Sequence, residues 1–140
     1  MSENLLSPKQ IAEKMLQNDA FSQWLGIEIV EVRQDYVRLK MIVRKEMLNG
    51  MKKAHGGITF SLADTALAFA ANTRGKKAVS IEASINHIEA LEEGTSITAV
   101  ADLKSVKNKL GFYIIEIKKE NTLVALFKGV VYRTENNWTK

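Results

Sequence analysis

Residues 58–75 read ITFSLADTALAFAANTRG. It is apolar on nearly every side and rich in small residues, and it ends at Gly75, a residue type that commonly terminates helices. Because a helix that is apolar all round must be covered on most sides, the stretch predicts a long helix buried at the centre of the domain.

Strand-like segments flank this predicted helix. Before it, residues 27–43 (IEIVEVRQDYVRLKMIV) alternate apolar and polar side chains, which predicts a β-hairpin turning near Gln34 and Asp35. After it come four further segments, AVSIEASINHI (78–88), TSITAVADLKSV (95–106), FYIIEIKKEN (112–121) and TLVALFKGVVYRT (122–134). One central helix and about six strands predict an α+β fold in which a curled antiparallel sheet wraps the helix.

The 140 residues suit a single domain over 1–140. Ser7 is a suitable N-cap and Pro8 a suitable first-turn residue, so we expect an N-terminal helix within residues 1–20. Residues 135–140 are expected to form a flexible tail.

Composition excludes several classes of site. The chain has no cysteine and only two histidines, which rules out a disulfide, a thiolate metal site or a cysteine nucleophile and argues against a histidine-rich metal centre. The net charge of +4 comes from scattered Lys and Arg, typical of a solvated surface, with a polyanionic small ligand as the alternative and nucleic acid disfavoured. No signal peptide or long apolar run is visible, so we expect a cytoplasmic protein with no membrane partner.

The tripeptide His55-Gly56-Gly57 stands just before the predicted helix. Glycine permits close backbone approach, and a helix start presents unpaired N–H groups at the positive end of its dipole. These residues therefore suit the polarisation of a carbonyl. The alternative is a plain tight turn into the helix.

Asp64 is a carboxylate in apolar surroundings, which is costly unless it is paired or has a function. It is either held by structural hydrogen bonds or acts as a general base or nucleophile. If Gly56 starts the helix, Asp64 lies about 12 Å further along it, too far for both to touch one carbonyl. The distance resolves if the helix packs against its copy in a two-fold dimer. Small residues of the helix would permit such close packing, namely Ala63, Ala66, Ala68, Ala70 and Ala71.

Two more residues have competing interpretations. The Asn49 amide can orient a water or hold a carbonyl, although Asn-Gly is also a common turn dipeptide. His87 interrupts the apolar pattern of its strand, and the simpler interpretation is a solvent-facing or satisfied core position.

The segment MLNGMKKAHGGITFSLADTALAFAANTRG (47–75) closely resembles the phenylacetate-degradation thioesterases of the hotdog superfamily. The resemblance rests on an Asn-Gly, a His-Gly-Gly and a Leu-Ala-Asp-Thr-Ala helix at matching spacings, and it extends over roughly residues 20–134. It implies a hotdog fold, a homodimer with a continuous sheet that usually doubles to a homotetramer, and active sites at the dimer interface.

The resemblance also implies roles for residues. Asp64 would be the general base or nucleophile, Gly56 the N–H that polarises the carbonyl, and Asn49 the group that positions water or thioester. His55 would shape the turn and bond near the substrate carbonyl. The implied substrate-binding residues are Gly57, with Lys107 and Lys109 as guesses for the CoA phosphates.

The implied activity is hydrolysis of an aryl- or acyl-CoA, such as a phenylacetyl- or hydroxyphenylacetyl-CoA-like thioester, with no metal and no cofactor besides the CoA of the substrate. A non-catalytic acyl-CoA-binding protein and a dehydratase are the alternatives. One departure concerns the acyl pocket: the family often shows a Phe-x-x-Pro-like stretch where this chain has His87-Ile88-Glu89-Ala90. That difference puts the hydroxyphenylacetyl preference in doubt.

Overall fold

The computed structural model describes residues 4–140. Two short helices precede a β-hairpin, a 3-10 turn leads into a long helix, and four strands follow. The helices are α1 (Pro8–Gln17), α2 (Ala20–Leu25) and α3 (Gly56–Asn72), and the 3-10 helix is Lys45–Met47. The strands are β1 (Glu28–Arg33), β2 (Tyr36–Ile42), β3 (Lys76–His87), β4 (Ser96–Lys107), β5 (Leu110–Lys119) and β6 (Thr122–Asn137).

The strands form one antiparallel sheet of six strands in the order β1-β2-β4-β5-β6-β3. Along β5, buried and half-buried side chains alternate, so that Tyr113, Ile115 and Ile117 point into the core. The sheet curls around α3, as the apolar character of that helix predicts. The predicted α+β hotdog architecture, with its N-terminal helix, is therefore confirmed.

Helix α3 is the centre of the core because its side chains are apolar and small enough to be covered. Leu62, Ala66 and Leu67 have no exposed surface. Gly129 on β6 is needed for this packing, since a Cβ there would lie 2.4 Å from Leu67 Cδ2. Sheet and helix therefore approach each other more closely than a larger residue at this position would allow.

The N-terminal helix expected within residues 1–20 is α1, and the short helix α2 follows it at Ala20–Leu25. Residues 1–3 lie outside the described part of the chain. Ser7 and Gln10 form a capping box at the start of α1, with Pro8 in the first turn as expected. Asp19 caps the separate helix α2, which ends at Gly26 with φ +75°. The local capping signal at Asp19 explains the division.

The expectation of a flexible tail at residues 135–140 needs correction. Strand β6 continues to Asn137, Trp138 Nε1 donates a 2.8 Å hydrogen bond to Asn72 Oδ1, and Thr139 forms an antiparallel bridge with Leu5. Partners far away in the chain hold this segment, and the polar sequence alone gives no sign of them. Within residues 4–140, no helix has both the length and the apolarity that crossing a membrane requires.

Candidate functional site

His55 caps the start of α3. Its backbone is extended, and its Nδ1 accepts a 2.8 Å hydrogen bond from the Gly57 N–H. The Nδ1 atom must therefore be unprotonated, and in the neutral ring Nε2 carries the hydrogen. The capping fixes the turn that begins the helix.

The N–H of Gly56 forms no hydrogen bond within residues 4–140. It belongs to the first turn of a helix of 17 residues, where the aligned peptide dipoles favour negative charge. A donor that is unpaired in the folded chain is available to an oxyanion without breaking an internal bond.

Asn49 lies in the loop that faces this helix start. Its Oδ1 accepts hydrogen bonds from the N–H groups of Met51 (2.9 Å) and Lys53 (3.1 Å), and its own N–H donates to Lys53 O. The carboxamide oxygen is thus occupied in the turn, whereas the NH₂ group makes no hydrogen bond within residues 4–140. The two interpretations of Asn49 are compatible, because the turn fixes the amide beside the groove.

A groove of about 330 Å³ opens beside Gly56. Polar groups of Asn49, Lys53, Thr59, His87 and Glu89 line it together with apolar and small residues, namely Met51, Ala54, Gly56, Ile88, Ala90 and Leu91. His87 is exposed, as the simpler interpretation of it predicts, and its ring also lies beside Gly56. The sequence signal that marks His87 is its interruption of the apolar strand pattern.

A second groove of about 310 Å³ lies on the other side of the helix start. It is lined by His55, Gly57 and Ser61 of the α3 region and by Phe21 of α2, among others. Gly57, predicted to bind substrate, therefore faces a different groove from Asn49. Gly56 lines the first groove, and its neighbours His55 and Gly57 line the second.

Asp64 lies on the side of α3 that the sheet leaves partly uncovered. The residues of α3 that retain exposure form one stripe, Gly56, Gly57, Phe60, Ser61, Asp64 and Ala68. The carboxylate makes no hydrogen bond or ion pair within residues 4–140. Burial raises the pKa of Asp64 above its ordinary value, because desolvation penalises the charged form.

One chain alone does not bring Asp64 to Gly56. The two residues are eight positions apart on one straight helix, which corresponds to about 12 Å. The expectation that small residues of α3 lie between two copies of the helix needs correction. Four of these alanines have no exposed surface and pack inside their own chain, namely Ala63, Ala66, Ala70 and Ala71. Of the alanines considered, only Ala68 lies on the uncovered stripe.

Lys107 and Lys109 lie on the turn between β4 and β5, and neither lines the two grooves. Lys109 Nζ is 3.0 Å from Glu135 Oε1 and lies over the Tyr132 ring. Within residues 4–140, no group of His, Asp and Glu side chains has the arrangement of a metal site.

Comparison with known proteins gives consistent relatives. The family described as Thioesterase superfamily matches residues 51–126. A putative esterase of Archaeoglobus fulgidus is 40% identical over 131 residues, covering 93% of this chain and 85% of that protein. Acyl-coenzyme A thioesterase PaaI of Escherichia coli is 38% identical over 125 residues, or 89% of each protein.

The solved structure of E. coli PaaI, described as a protein from the phenylacetic acid degradation operon, has a TM-score of 0.90 to this chain. It is 37% identical and covers 94% of this chain and 96% of its own. The family match includes His55, Gly56 and Asp64 and begins two residues after Asn49.

Proposed function

The chain belongs to the thioesterase superfamily, and on that premise we propose that it hydrolyses an acyl-CoA thioester to a free acid and CoA. The observation that supports this most directly is the Gly56 N–H, which is unpaired within residues 4–140 and belongs to a residue that lines a groove together with Asn49. The substrate proposed first is a phenylacetyl- or hydroxyphenylacetyl-CoA-like thioester, by analogy with the E. coli relative.

In this proposal the Gly56 N–H donates a hydrogen bond to the thioester carbonyl oxygen. Charge that develops on this oxygen during attack is stabilised by the donor and by the positive end of the helix dipole. The Asn49 NH₂ group holds the attacking water or the thioester next to it. His55 keeps the turn in place through its bond to the Gly57 N–H.

The general base or nucleophile is assigned to Asp64 of a second copy of the chain. A two-fold axis that packs the uncovered stripes of two α3 helices against each other places each Asp64 near the partner's helix start. The proposed active site is thus at a homodimer interface, and doubling to a tetramer is open.

Strand β3 supports dimerisation independently. It is an edge strand of 12 residues, and Val79 and Ile81 on it are 57% and 58% exposed. A long apolar sheet edge is a template for pairing with another strand. Pairing two β3 edges would give the continuous sheet that the resemblance implies.

Two routes to the products are open. In the first, Asp64 takes a proton from water while the water oxygen attacks the thioester carbon, and the C–S bond then breaks as the sulfur takes that proton. In the second, an Asp64 oxygen attacks, the thiolate leaves, and water hydrolyses the mixed anhydride. The raised pKa of Asp64 makes its carboxylate a stronger base in either route.

Lys107 and Lys109 stay predicted phosphate ligands, and they would serve a site built on the partner's helix start, because antiparallel α3 helices bring opposite ends together. No cofactor is proposed besides the CoA of the substrate. We place the protein in the cytoplasm, because acyl-CoA thioesters are intracellular metabolites.

The test is release of free thiol from about twenty CoA thioesters, short, long and aromatic. Asp64→Ala and Asp64→Asn should lose hydrolysis, whereas Asp102→Asn, an exposed acid paired with Lys104, should not. Variants of Asp64 that hydrolyse the panel as well as the parent would refute the proposal, as would binding without thiol release, which indicates a non-catalytic acyl-CoA-binding protein. Single-turnover hydrolysis in oxygen-18 water separates the routes, since label in Asp64 indicates the anhydride.

A further inference from the structure

His87 is the last residue of β3, and its ring covers the start of α3. A Cβ built on Gly56 would lie 3.0 Å from His87 Nε2 and 3.4 Å from its Cε1. The ring is thus in contact distance of the residue whose N–H is proposed to bind the thioester oxygen. His87 is exposed and lines the same groove as Asn49.

The hydrogen bonds of Thr59 bear on the tautomer of His87, that is, on which ring nitrogen carries the hydrogen. The Thr59 hydroxyl donates its hydrogen to Gly56 O at 3.0 Å. Thr59 Oγ1 is also 3.3 Å from His87 Nδ1, and while its hydrogen points to Gly56 O it accepts from Nδ1–H. In the neutral ring, Nε2 is then an acceptor beside Gly56.

The groove beside Nε2 suits an acyl group better than the nucleotide end of CoA. Apolar side chains of Met51, Ile88 and Leu91 line it. Its cation, Lys53, is paired with Glu92, and Glu89 brings a carboxylate to the wall. Phosphates would meet no free positive charge there, whereas a small acyl chain finds apolar surface and one polar acceptor.

We propose that His87 Nε2 accepts a hydrogen bond from a hydroxyl group on the second or third carbon of the acyl chain, so that the site selects 2- or 3-hydroxyacyl thioesters over their unsubstituted analogues. The position follows from reach: with the carbonyl oxygen on Gly56 N–H, only a hydroxyl close to the carbonyl can bond to an acceptor that touches Gly56. The inference rests on the proposed function and names the substrate class of that same site.

The experiment compares kcat/KM for two matched pairs, mandelyl-CoA against phenylacetyl-CoA and 3-hydroxybutyryl-CoA against butyryl-CoA. The parent should favour the hydroxylated member of at least one pair by about three- to tenfold, the effect of one net hydrogen bond. His87→Phe keeps a flat ring but has no acceptor, and it should bring that ratio down to about one. Asn86→Ala, an exposed neighbour outside the groove, should leave the ratio as in the parent.

Thr59→Val gives a second, independent readout. Without the Thr59 oxygen, the His87 proton can move to Nε2, so the ratio should fall even though His87 is present. Melting temperatures of all variants establish that each is folded.

The inference is overturned if the parent shows no preference within either pair, or if His87→Phe lowers both members equally, which would mean that His87 contacts the pantetheine arm or only supports the turn. Either result leaves thiol release intact. Absence of thiol release from every thioester would instead refute the proposed function itself.

Discussion

The two ends of α3 are built in opposite ways. At the C-terminal end, Asn72 is 2% exposed and all its polar atoms are used: Nδ2 donates to Ala68 O and Ala78 O, and Oδ1 accepts from Ala78 N–H and Trp138 Nε1. At the N-terminal end, the Gly56 N–H is unpaired within residues 4–140, and an open groove lies beside it. One end is closed by hydrogen bonds and the other is available to a ligand.

The closed end extends beyond the helix. Asp35 Oδ1 accepts from the Tyr113 hydroxyl at 3.0 Å and from Arg74 Nε at 2.9 Å, and Arg133 Nη2 donates to the Tyr113 oxygen at 3.0 Å. Thr73 Oγ1 accepts from the Asp35 N–H. Substitutions at the closed end should therefore lower stability, whereas substitutions at the open end and along the uncovered stripe of α3 should lower activity.

The largest expected effect is on activity, at Asp64 on the uncovered stripe of α3. Asp64→Asn should lower kcat/KM by about 10²- to 10⁴-fold, because a positioned base or nucleophile is lost. The free energy of unfolding should not decrease, since the substitution removes a desolvated charge. Thiol release and urea denaturation measure both quantities, with Asp102→Asn as the control. Equal loss of stability and activity would contradict the separation.

The next effect is on stability, at the closed end. Asn72→Ala should lower the free energy of unfolding by about 2–4 kcal/mol, because it removes several hydrogen bonds and leaves the Ala78 N–H buried without its partner. Activity per folded molecule should stay near that of the parent. Asn121→Ala, in the exposed turn between β5 and β6, is the matched control and should change stability little. A loss no larger than that of the control would show that this end is not the stabilised one.

A smaller effect is expected at Tyr113. Tyr113→Phe removes the hydroxyl between Asp35 and Arg133 and should cost about 1–3 kcal/mol. The cost is raised because Arg133 Nε and Nη1 are already buried without partners in the described structure. The midpoint of urea denaturation measures it. Arg133 stays next to Asp35, at 3.9 Å, so the cost should remain below that of removing Asn72.

The sequence predicts the open end better than the closed one. Local signals mark His55, Gly56 and the apolar run of α3, because capping and periodicity depend on neighbours in the chain. The bonds from Asn72 to Trp138 and from Asp35 to Tyr113 join residues 66 and 78 positions apart, and no local pattern indicates them. For the same reason the local sequence does not indicate the pairing of residues 135–140.

The position of His87 shows the limit at the site itself. Its strand is predictable, yet its contact with Gly56 depends on how the end of β3 crosses the start of α3. Residues that meet through the sheet register cannot be paired from periodicity. The predicted group of Asn49, Gly56 and Asp64 is likewise divided in one chain, because helix geometry separates the last two.

The smallest effect is the pH dependence of stability that Asp64 contributes. Burial raises its pKa in the folded chain above the ordinary 3.8, so between that value and the folded pKa the native state binds more protons than the unfolded state. Stability should therefore fall as pH rises through this window and then level off. Asp64→Asn lacks this contribution. The excess of its free energy of unfolding over that of the parent should therefore appear only as pH rises above about 3.8 and then stay constant. Urea denaturation of both proteins at equal concentration from acidic to neutral pH measures the difference, since all other titrating groups are shared. A difference that is constant across pH would mean that the Asp64 carboxylate is not desolvated. Its place on the uncovered stripe of α3 would then cost no stability, and the argument that such a cost indicates a function would fail.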